Sequence, residues 1–194
     1  MMLAAATSGS LDKNLLAALR CGGYVILMRH ASSPLAPPTS AQVDPDNVEH
    51  ERQLDDGGRA AARRMGDALR RLRIPIGQVL SSPTYRALET VRLAQFGKPE
   101  AHSELGDAGH SMQADTSGQR GAWVRKRVAA PPPHGANTII VTQLPNIVEA
   151  FPEEARGLGE GGALIFHPDG AGKPVLVARV KMEEWSSSLR RYRD

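Results

Sequence analysis

An arginine and a histidine follow directly after a short apolar run near the start of the chain. The run Tyr24–Met28 comes after two glycines and ends at Arg29 and His30. A continuous apolar run of this length between turn signals predicts a buried strand, and ligands of open α/β sheets bind just beyond the carboxyl ends of such strands. Arginine presents a planar fork of donors to phosphate or carboxylate. Histidine, with an ordinary pKa of about 6.5, can act as a nucleophile or an acid–base group.

Two further strand-like runs end in polar residues that open a helix. Gln78–Leu80 is followed by a segment that reaches Arg86, and Thr138–Val141 is followed by a segment that reaches Asn146. A lone Arg-His pair after a strand is more often a surface turn than a site, but three such strand ends at one rim favour a site. We therefore expect these residues to surround one anion: Arg29, His30, Arg86 and Gln143.

Helices and a long loop separate these strands. Ser10 is predicted to cap an amphipathic helix that runs to Arg20, and Asp55-Asp56 to open a second helix that runs to about Arg73. Pro83 fits the first turn of a third helix, and the proline-containing loop 31–53 is interpreted as a wall or lid of the site. Further helices are predicted over Gln119–Ala129 and Pro145–Ala150, an edge hairpin over Gly162–His167 and Pro174–Val180, and a tail after Glu183 that is either helical or disordered.

Composition places the chain among folded α/β proteins and excludes several other classes. Its 194 residues suffice for one domain, 1–194, with residues 1–9 and 186–194 as candidates for disorder. No stretch approaches the roughly 20 apolar residues of a membrane span, so a cytoplasmic location is expected, or a periplasmic one if an export signal has been trimmed. The single Cys21 excludes an internal disulfide and is expected to be a buried small residue.

Two other kinds of site are weighed and set aside. A net charge of +3 with 4% aromatic residues argues against a nucleic-acid binder, and the arginines between Arg63 and Arg73 are better explained as a solvated helix face. The stretch 100–117 lacks the spacing of helical metal ligands, so no metal and no cofactor are expected. The polar residues of that stretch are His102, Glu104, Asp107, His110 and Asp115.

Four motifs in order resemble the histidine phosphatase superfamily, which includes phosphoglycerate mutases and phosphohistidine phosphatases. The similarity covers roughly residues 22–180 and is strong because all four motifs occur at suitable spacings. The Gly22-Gly23 pair and the proline-rich loop look closest to the bacterial lipopolysaccharide-core heptose phosphatases. The resemblance implies a three-layer α/β/α sandwich with a mostly parallel central sheet, as in phosphoglycerate mutase. The motifs are Leu27–Ala31, Arg52–Arg59, Ser81–Thr90 and Val141–Asn146.

The resemblance also implies roles for individual residues. His30 matches the nucleophile that becomes phosphohistidine, and Arg29 and Arg86 match the arginines that hold the phosphoryl oxygens. Ser33 matches a hydroxyl that donates to the phosphate in some members. The leaving-group acid is expected after the second arginine, with Glu104 as the first candidate and Asp107 as the second. The expected partner is a small phosphorylated substrate or phosphate.

Gln143 departs from the family pattern. It stands where the family carries a second histidine, and an amide donates hydrogen bonds but carries no positive charge. The loss of one preorganised donor of this kind costs on the order of 100- to 1000-fold in rate. Two hypotheses follow: a slow phosphomonoesterase acting through His30, or a degenerate phosphatase that binds a phosphorylated ligand without turnover.

Overall fold

The computed structural model describes residues 11–107 and 118–192. Strands and helices alternate through most of the described chain, and a 3-10 helix, Ser103–Leu105, precedes the first gap. The strands are β1 Val25–Arg29, β2 Ile76–Ser81, β3 Glu100–Ala101, β4 Asn137–Thr142, β5 Ala163–Pro168 and β6 Pro174–Val180; the helices are α1 Lys13–Cys21, α2 Asp56–Arg71, α3 Tyr85–Ala94, α4 Gln119–Ala129, α5 Leu144–Ala150 and α6 Met182–Arg191.

The six strands form one sheet in the order β3-β2-β4-β1-β5-β6. The first four of these are mutually parallel, whereas β5 runs antiparallel to β1 and β6 antiparallel to β5. At the carboxyl edge Arg29 pairs with Thr142 and Ser81 pairs with Val141. The ends of β1, β2 and β4 therefore lie side by side, as the sequence predicted, and β6 is the edge strand of the predicted hairpin.

The central strand β1 is buried on both faces. Ile26 and Met28 pack into the core beneath α1, α2, α3 and α6, while Val25 and Leu27 pack into the core beneath α4 and α5. Because successive side chains of a strand point to opposite faces, both faces need apolar residues, which explains the uninterrupted run in the sequence. The result is three layers, helices–sheet–helices.

Several local predictions need correction. Asp12 is the N-cap of α1 and accepts from the Leu15 backbone N–H at 2.7 Å, while the predicted cap Ser10 lies outside the described residues. Cys21 is exposed because it ends α1 on the solvent side. Thr84 is the N-cap of α3, so Pro83 precedes the helix rather than lying in its first turn. In the tail, α6 is helical to Arg191.

Two close backbone approaches depend on glycine. Gly22 has φ +79°, and a Cβ there would lie 2.4 Å from the Ala136 backbone nitrogen. This glycine lets the chain turn tightly from α1 into β1. Gly58 lies in the first turn of α2. A Cβ at this position would lie 2.2 Å from the Ser32 carbonyl oxygen, too close for any side chain. Helix α2 therefore packs directly against the backbone that follows His30.

Candidate active site

His30 lies one residue beyond β1, where its backbone N–H donates to the Thr142 carbonyl at 3.1 Å. The side chain is only 3% exposed. Its Nδ1 lies 2.7 Å from the Ala31 carbonyl oxygen, which can only accept, so Nδ1 carries the hydrogen and Nε2 carries the lone pair. Burial, and then the nearby arginines 86, 29 and 52, lower the pKa of His30 to about 4, against the opposing effect of the Ala31 bond. The imidazole is neutral near pH 7.

Arg86, in the first turn of α3, contacts this imidazole directly. Its Nε donates to Nε2 of His30 at 3.2 Å, and its terminal nitrogen contacts the carboxylate of Asp107. The Thr90 hydroxyl donates to the Arg86 carbonyl at 2.8 Å and accepts from the Ala31 N–H at 3.1 Å. This single threonine therefore fixes the arginine's helical turn against the segment that follows the histidine.

Arg29 approaches from the end of β1. Its terminal nitrogen donates to Oε1 of Glu160 at 3.2 Å, and both side chains are partly exposed. Its Nε is buried and has no hydrogen-bond partner in the part of the chain that the structure describes. Glu160 lies on a glycine-rich turn whose Gly161 N–H donates to the His30 carbonyl at 2.9 Å. The sequence analysis did not identify Glu160.

Arg52 is a third arginine of the site, and the sequence analysis treated it only as part of a helix-start motif. Its Nε donates to the Pro34 carbonyl at 2.7 Å and a terminal nitrogen to the Ser33 carbonyl at 3.2 Å. Burial, and then the charges of Arg86 and Arg29, lower the pKa of Arg52, while Asp107 and Glu160 oppose this. The positive charges of Arg29, Arg52 and Arg86 therefore all act on the His30 imidazole, which is the electrostatic environment that an oxyanion requires.

Gln143 follows β4 and caps α5, and it is 2% exposed. Its Nε2 lies 2.9 Å from the Ser82 hydroxyl oxygen and 2.8 Å from the Thr84 hydroxyl oxygen. Its Oε1 is buried and has no partner among residues 11–107 and 118–192. In this orientation of the amide, both of its hydrogens are donated to hydroxyls at the start of α3, a detail that residue type alone does not reveal.

The two candidate acids make different contacts. Asp107 contacts Arg86, whereas Glu104 accepts from the hydroxyl of its neighbour Ser103 at 3.2 Å. The side-chain amide of Asn146 donates to the carbonyls of Leu105 and Gly106 at 2.9 and 3.0 Å, just before Asp107. The structure therefore brings the second candidate, not the first, to the His30–Arg86 pair.

Other predicted polar residues lie beside the site or away from it. The Ser33 hydroxyl donates to the Gln53 backbone carbonyl at 2.8 Å. His102 packs on the ring of Trp123 with 4.9 Å between ring centroids. In residues 11–107 and 118–192, no three His, Cys, Asp or Glu side chains are arranged to hold a metal ion. His110 and Asp115 lie outside the described residues.

Polar contacts hold the loop 31–53 together. Gln53 accepts from the Asp44 N–H at 3.0 Å and donates to the Gln42 carbonyl at 2.7 Å. The Tyr85 hydroxyl donates to Asp46 at 2.6 Å, which ties the loop to the start of α3. These bonds explain how a loop without regular structure holds Arg52 in place.

Comparison with known proteins adds the family. The family model described as "Histidine phosphatase superfamily (branch 1)" matches residues 25–130, more than half of the chain. The chain belongs to this superfamily. The superfamily match includes Arg29, His30 and Arg86 and ends before Gln143. A comparison with curated protein sequences gives no significant match.

Solved structures support the same superfamily fold. The protein histidine phosphatase SixA complexed with tungstate is 18% identical over 82% of this chain and 97% of its own, with a TM-score of 0.59. A mutant phosphoserine phosphatase from Entamoeba histolytica in complex with phosphoserine is 14% identical over 83% and 98%, with a TM-score of 0.56. Bacillus stearothermophilus YhfR is 17% identical over 80% and 95%, with a TM-score of 0.56. The predicted three-layer, phosphoglycerate mutase-like fold is confirmed. None of the described helices is long and apolar enough to cross a membrane.

Proposed function

We propose that the chain is a phosphomonoester hydrolase that forms a phosphohistidine on Nε2 of His30. One observation carries this proposal: the buried imidazole keeps its hydrogen on Nδ1, and its Nε2 lone pair faces the guanidinium of Arg86 at 3.2 Å. A neutral nucleophile beside fixed positive charge suits phosphoryl transfer, in which positioning and electrostatics supply most of the catalysis.

In the first step the Nε2 lone pair of His30 attacks phosphorus, and the bond from phosphorus to the leaving-group oxygen breaks. Arg29, Arg52 and Arg86 donate to the phosphoryl oxygens and neutralise their charge. The bound phosphoryl group takes over Arg86 from Asp107, which then takes up a proton from solvent and passes it to the leaving oxygen. We assign this role to Asp107 because it contacts Arg86, whereas the Glu104 carboxylate accepts from its neighbour Ser103. The products of this step are the free alcohol and phosphohistidine.

In the second step water attacks the phosphorus, and the phosphorus–nitrogen bond to His30 breaks. Asp107, ionised by the first step, accepts the proton of the water, and the electron pair returns to Nε2. The products are inorganic phosphate and the neutral imidazole with which the cycle began. Asp107 thus acts first as an acid and then as a base, and no metal takes part.

We further propose that Gln143 makes this turnover slow. The amide carries no positive charge, so it stabilises the charge that develops on the phosphoryl oxygens less than an imidazolium would. The same observation favours a second candidate function, in which the site holds a phosphorylated ligand without hydrolysing it. Both candidates use the same arginines and the same anion, so they differ in turnover and not in binding.

For the substrate we propose a small phosphorylated compound. The similar structures carry tungstate and phosphoserine, which are ligands of those proteins. Within the superfamily we place the chain nearest the heptose phosphatases, on the basis of Gly22-Gly23 and the proline-containing loop. Release of phosphate from a panel of sugar phosphates, phosphoserine and phosphoglycerate tests this assignment; preference for a phosphorylated amino acid would contradict it.

The hydrolysis of p-nitrophenyl phosphate tests the function. We expect a low rate from the wild type and at least a 100-fold lower rate from His30→Ala, whereas exposed His167→Asn retains the wild-type rate. Gln143→His restores a charged donor and is expected to raise kcat by on the order of 100-fold. Tungstate binding with equal background rates for wild type, His30→Ala and Gln143→His would favour the binding module. No binding of tungstate, phosphate or vanadate would contradict both functions.

A further inference from the structure

Gln143 and two hydroxyl groups form a buried polar cluster at the start of α3. Ser82 and Thr84 are almost fully buried, and their hydroxyl oxygens lie 3.1 Å apart. The backbone N–H of Thr84 donates to the Ser82 hydroxyl oxygen at 3.2 Å. Thr84 precedes Arg86 by two residues, and the residue before Gln143 accepts from the His30 N–H. On both sides the cluster is therefore within two residues, along the chain, of a group that contacts His30.

In the present orientation of the amide, the donors and acceptors of this cluster are not all paired. Nε2 donates its two hydrogens to the two hydroxyl oxygens. Only one of the two hydroxyl hydrogens can be used between Ser82 and Thr84. Oε1, which can accept two hydrogen bonds, is buried and receives none from any described residue. A buried acceptor without a donor is costly.

A half-turn of the amide about its last torsion exchanges Oε1 and Nε2 almost in place. Both hydroxyls then donate to Oε1, which fills both of its lone pairs, and the Ser82 oxygen keeps the bond from the Thr84 N–H. The two amide hydrogens are released and need acceptors. Phosphoryl oxygens are acceptors only, so a bound phosphoryl group can accept the two amide hydrogens and leave every donor and acceptor of the cluster paired.

We propose that Ser82 and Thr84 are positioning residues that orient the Gln143 amide toward a bound phosphoryl group. The hydroxyl pair donates to Oε1, and the NH2 group of Gln143 donates to the phosphoryl oxygens in place of a histidine. Gln143 thus supplies a hydrogen-bond donor at this position but no positive charge. This inference rests on the proposed oxyanion site, but it does not require that the site turns substrate over.

A double-mutant cycle with tungstate as the probe tests the proposal. Thr84→Val keeps the side-chain shape, and Thr84 makes no side-chain capping bond to α3, so the helix is retained. We expect Thr84→Val to weaken tungstate binding about 2- to 10-fold, the loss of one hydrogen bond. In the Gln143→Met background the same change is expected to have no further effect, because Thr84 acts through the amide. Ser82→Ala should behave in the same way, and Ser187→Ala on the exposed face of α6 is the matched control.

A second readout uses the unmodified chain. The side-chain NH2 signals of Gln143, assigned by their loss in Gln143→Met, are expected to shift downfield when tungstate is added to ¹⁵N-labelled protein. In Thr84→Val this shift should be smaller, although the arginines still bind the anion. A merely structural role for the hydroxyls would not move these signals selectively.

Three outcomes would overturn the proposal. The first is an unchanged tungstate affinity in both Thr84→Val and Ser82→Ala. The second is an equal loss of affinity whether residue 143 is Gln or Met, and the third is that the Gln143 NH2 signals do not shift when tungstate is added. Each would contradict the turned amide and leave the proposed function unaffected. If wild-type protein binds no tungstate, the proposed function fails, and this inference fails with it. The two failures are therefore distinguishable.

Discussion

Nε of Arg86 lies 3.2 Å from Nε2 of His30. A guanidinium nitrogen can only donate, so Nε2 must carry a lone pair, and the bond from Nδ1 to the Ala31 carbonyl fixes the same tautomer from the other side of the ring. Two independent contacts thus specify a neutral imidazole with its nucleophilic nitrogen on the arginine side.

The low pKa of His30 predicts a pH dependence of stability. The folded-state pKa is about 4, below the ordinary value of 6.5, so the unfolded chain takes up a proton at a higher pH than the folded chain. The contribution to the free energy of unfolding is present above pH 6.5 and is lost as pH falls toward 4. Urea unfolding at pH 7, 6 and 5 should show this decrease, and His30→Asn should reduce it. If exposed His167→Asn reduces it equally, the interpretation is wrong.

Asp107 is predicted to act on the leaving group. Asp107→Asn should slow alkyl phosphate hydrolysis by about 100-fold or more, but p-nitrophenyl phosphate hydrolysis much less, because nitrophenolate leaves without a proton. Glu104→Gln, which changes a half-buried carboxylate three residues away, should leave both rates within about twofold. Initial rates for the two substrates measure the ratio. Equal losses for both substrates in Asp107→Asn would point to a role in positioning Arg86.

Arg52 is predicted to bind the oxyanion directly. Arg52→Gln removes one charged donor and should weaken tungstate binding by roughly 10- to 100-fold. Arg63→Gln, a charge change of the same size on the exposed face of α2, controls for the general effect of lower positive charge and should change affinity little. Calorimetric titration gives both constants. Similar losses in the two variants would show that Arg52 acts only through net charge.

Two neighbouring glycines in α2 should differ sharply when substituted. A Cβ at Gly58 would lie 2.2 Å from the Ser32 carbonyl oxygen, whereas a Cβ at Gly57 meets only the Asp55 carboxylate, at 3.2 Å. Gly58→Ala is expected to destabilise the fold by about 1–3 kcal/mol and to lower tungstate affinity, since it displaces the backbone next to His30. Gly57→Ala should be neutral or slightly stabilising. Thermal unfolding of both variants decides this, and equal Tm values would refute the packing argument.

The sequence predicted the sheet and the meeting of its strand ends because both depend on local patterns. The apolar run before Arg29 indicates a strand buried on both faces, and parallel strands bring their carboxyl ends to one edge. The same reasoning placed His30 and Arg86 together, and their 3.2 Å contact agrees with it. The sequence specifies the ends of helices less well. Ser10 was predicted as the cap of α1 and Asp12 is the observed cap, and either residue type can cap a helix.

The remaining site residues depend on distances that no local pattern contains. Arg52 reaches the site through the fold of a loop, and Glu160 through a glycine-rich turn far along the chain. The position of Asp107 beside Arg86 depends on Asn146, whose amide holds the backbone before Asp107. Cys21 was expected to be buried from its residue type, yet its exposure depends on where α1 ends.

The ion pair between Arg29 and Glu160 and the contact between Arg86 and Asp107 couple anion binding to a rearrangement of charges inside the protein. Two of the three guanidinium groups already hold internal counter-ions. An arriving dianion must exchange with these carboxylates, so its net binding energy is the difference between two sets of ion pairs.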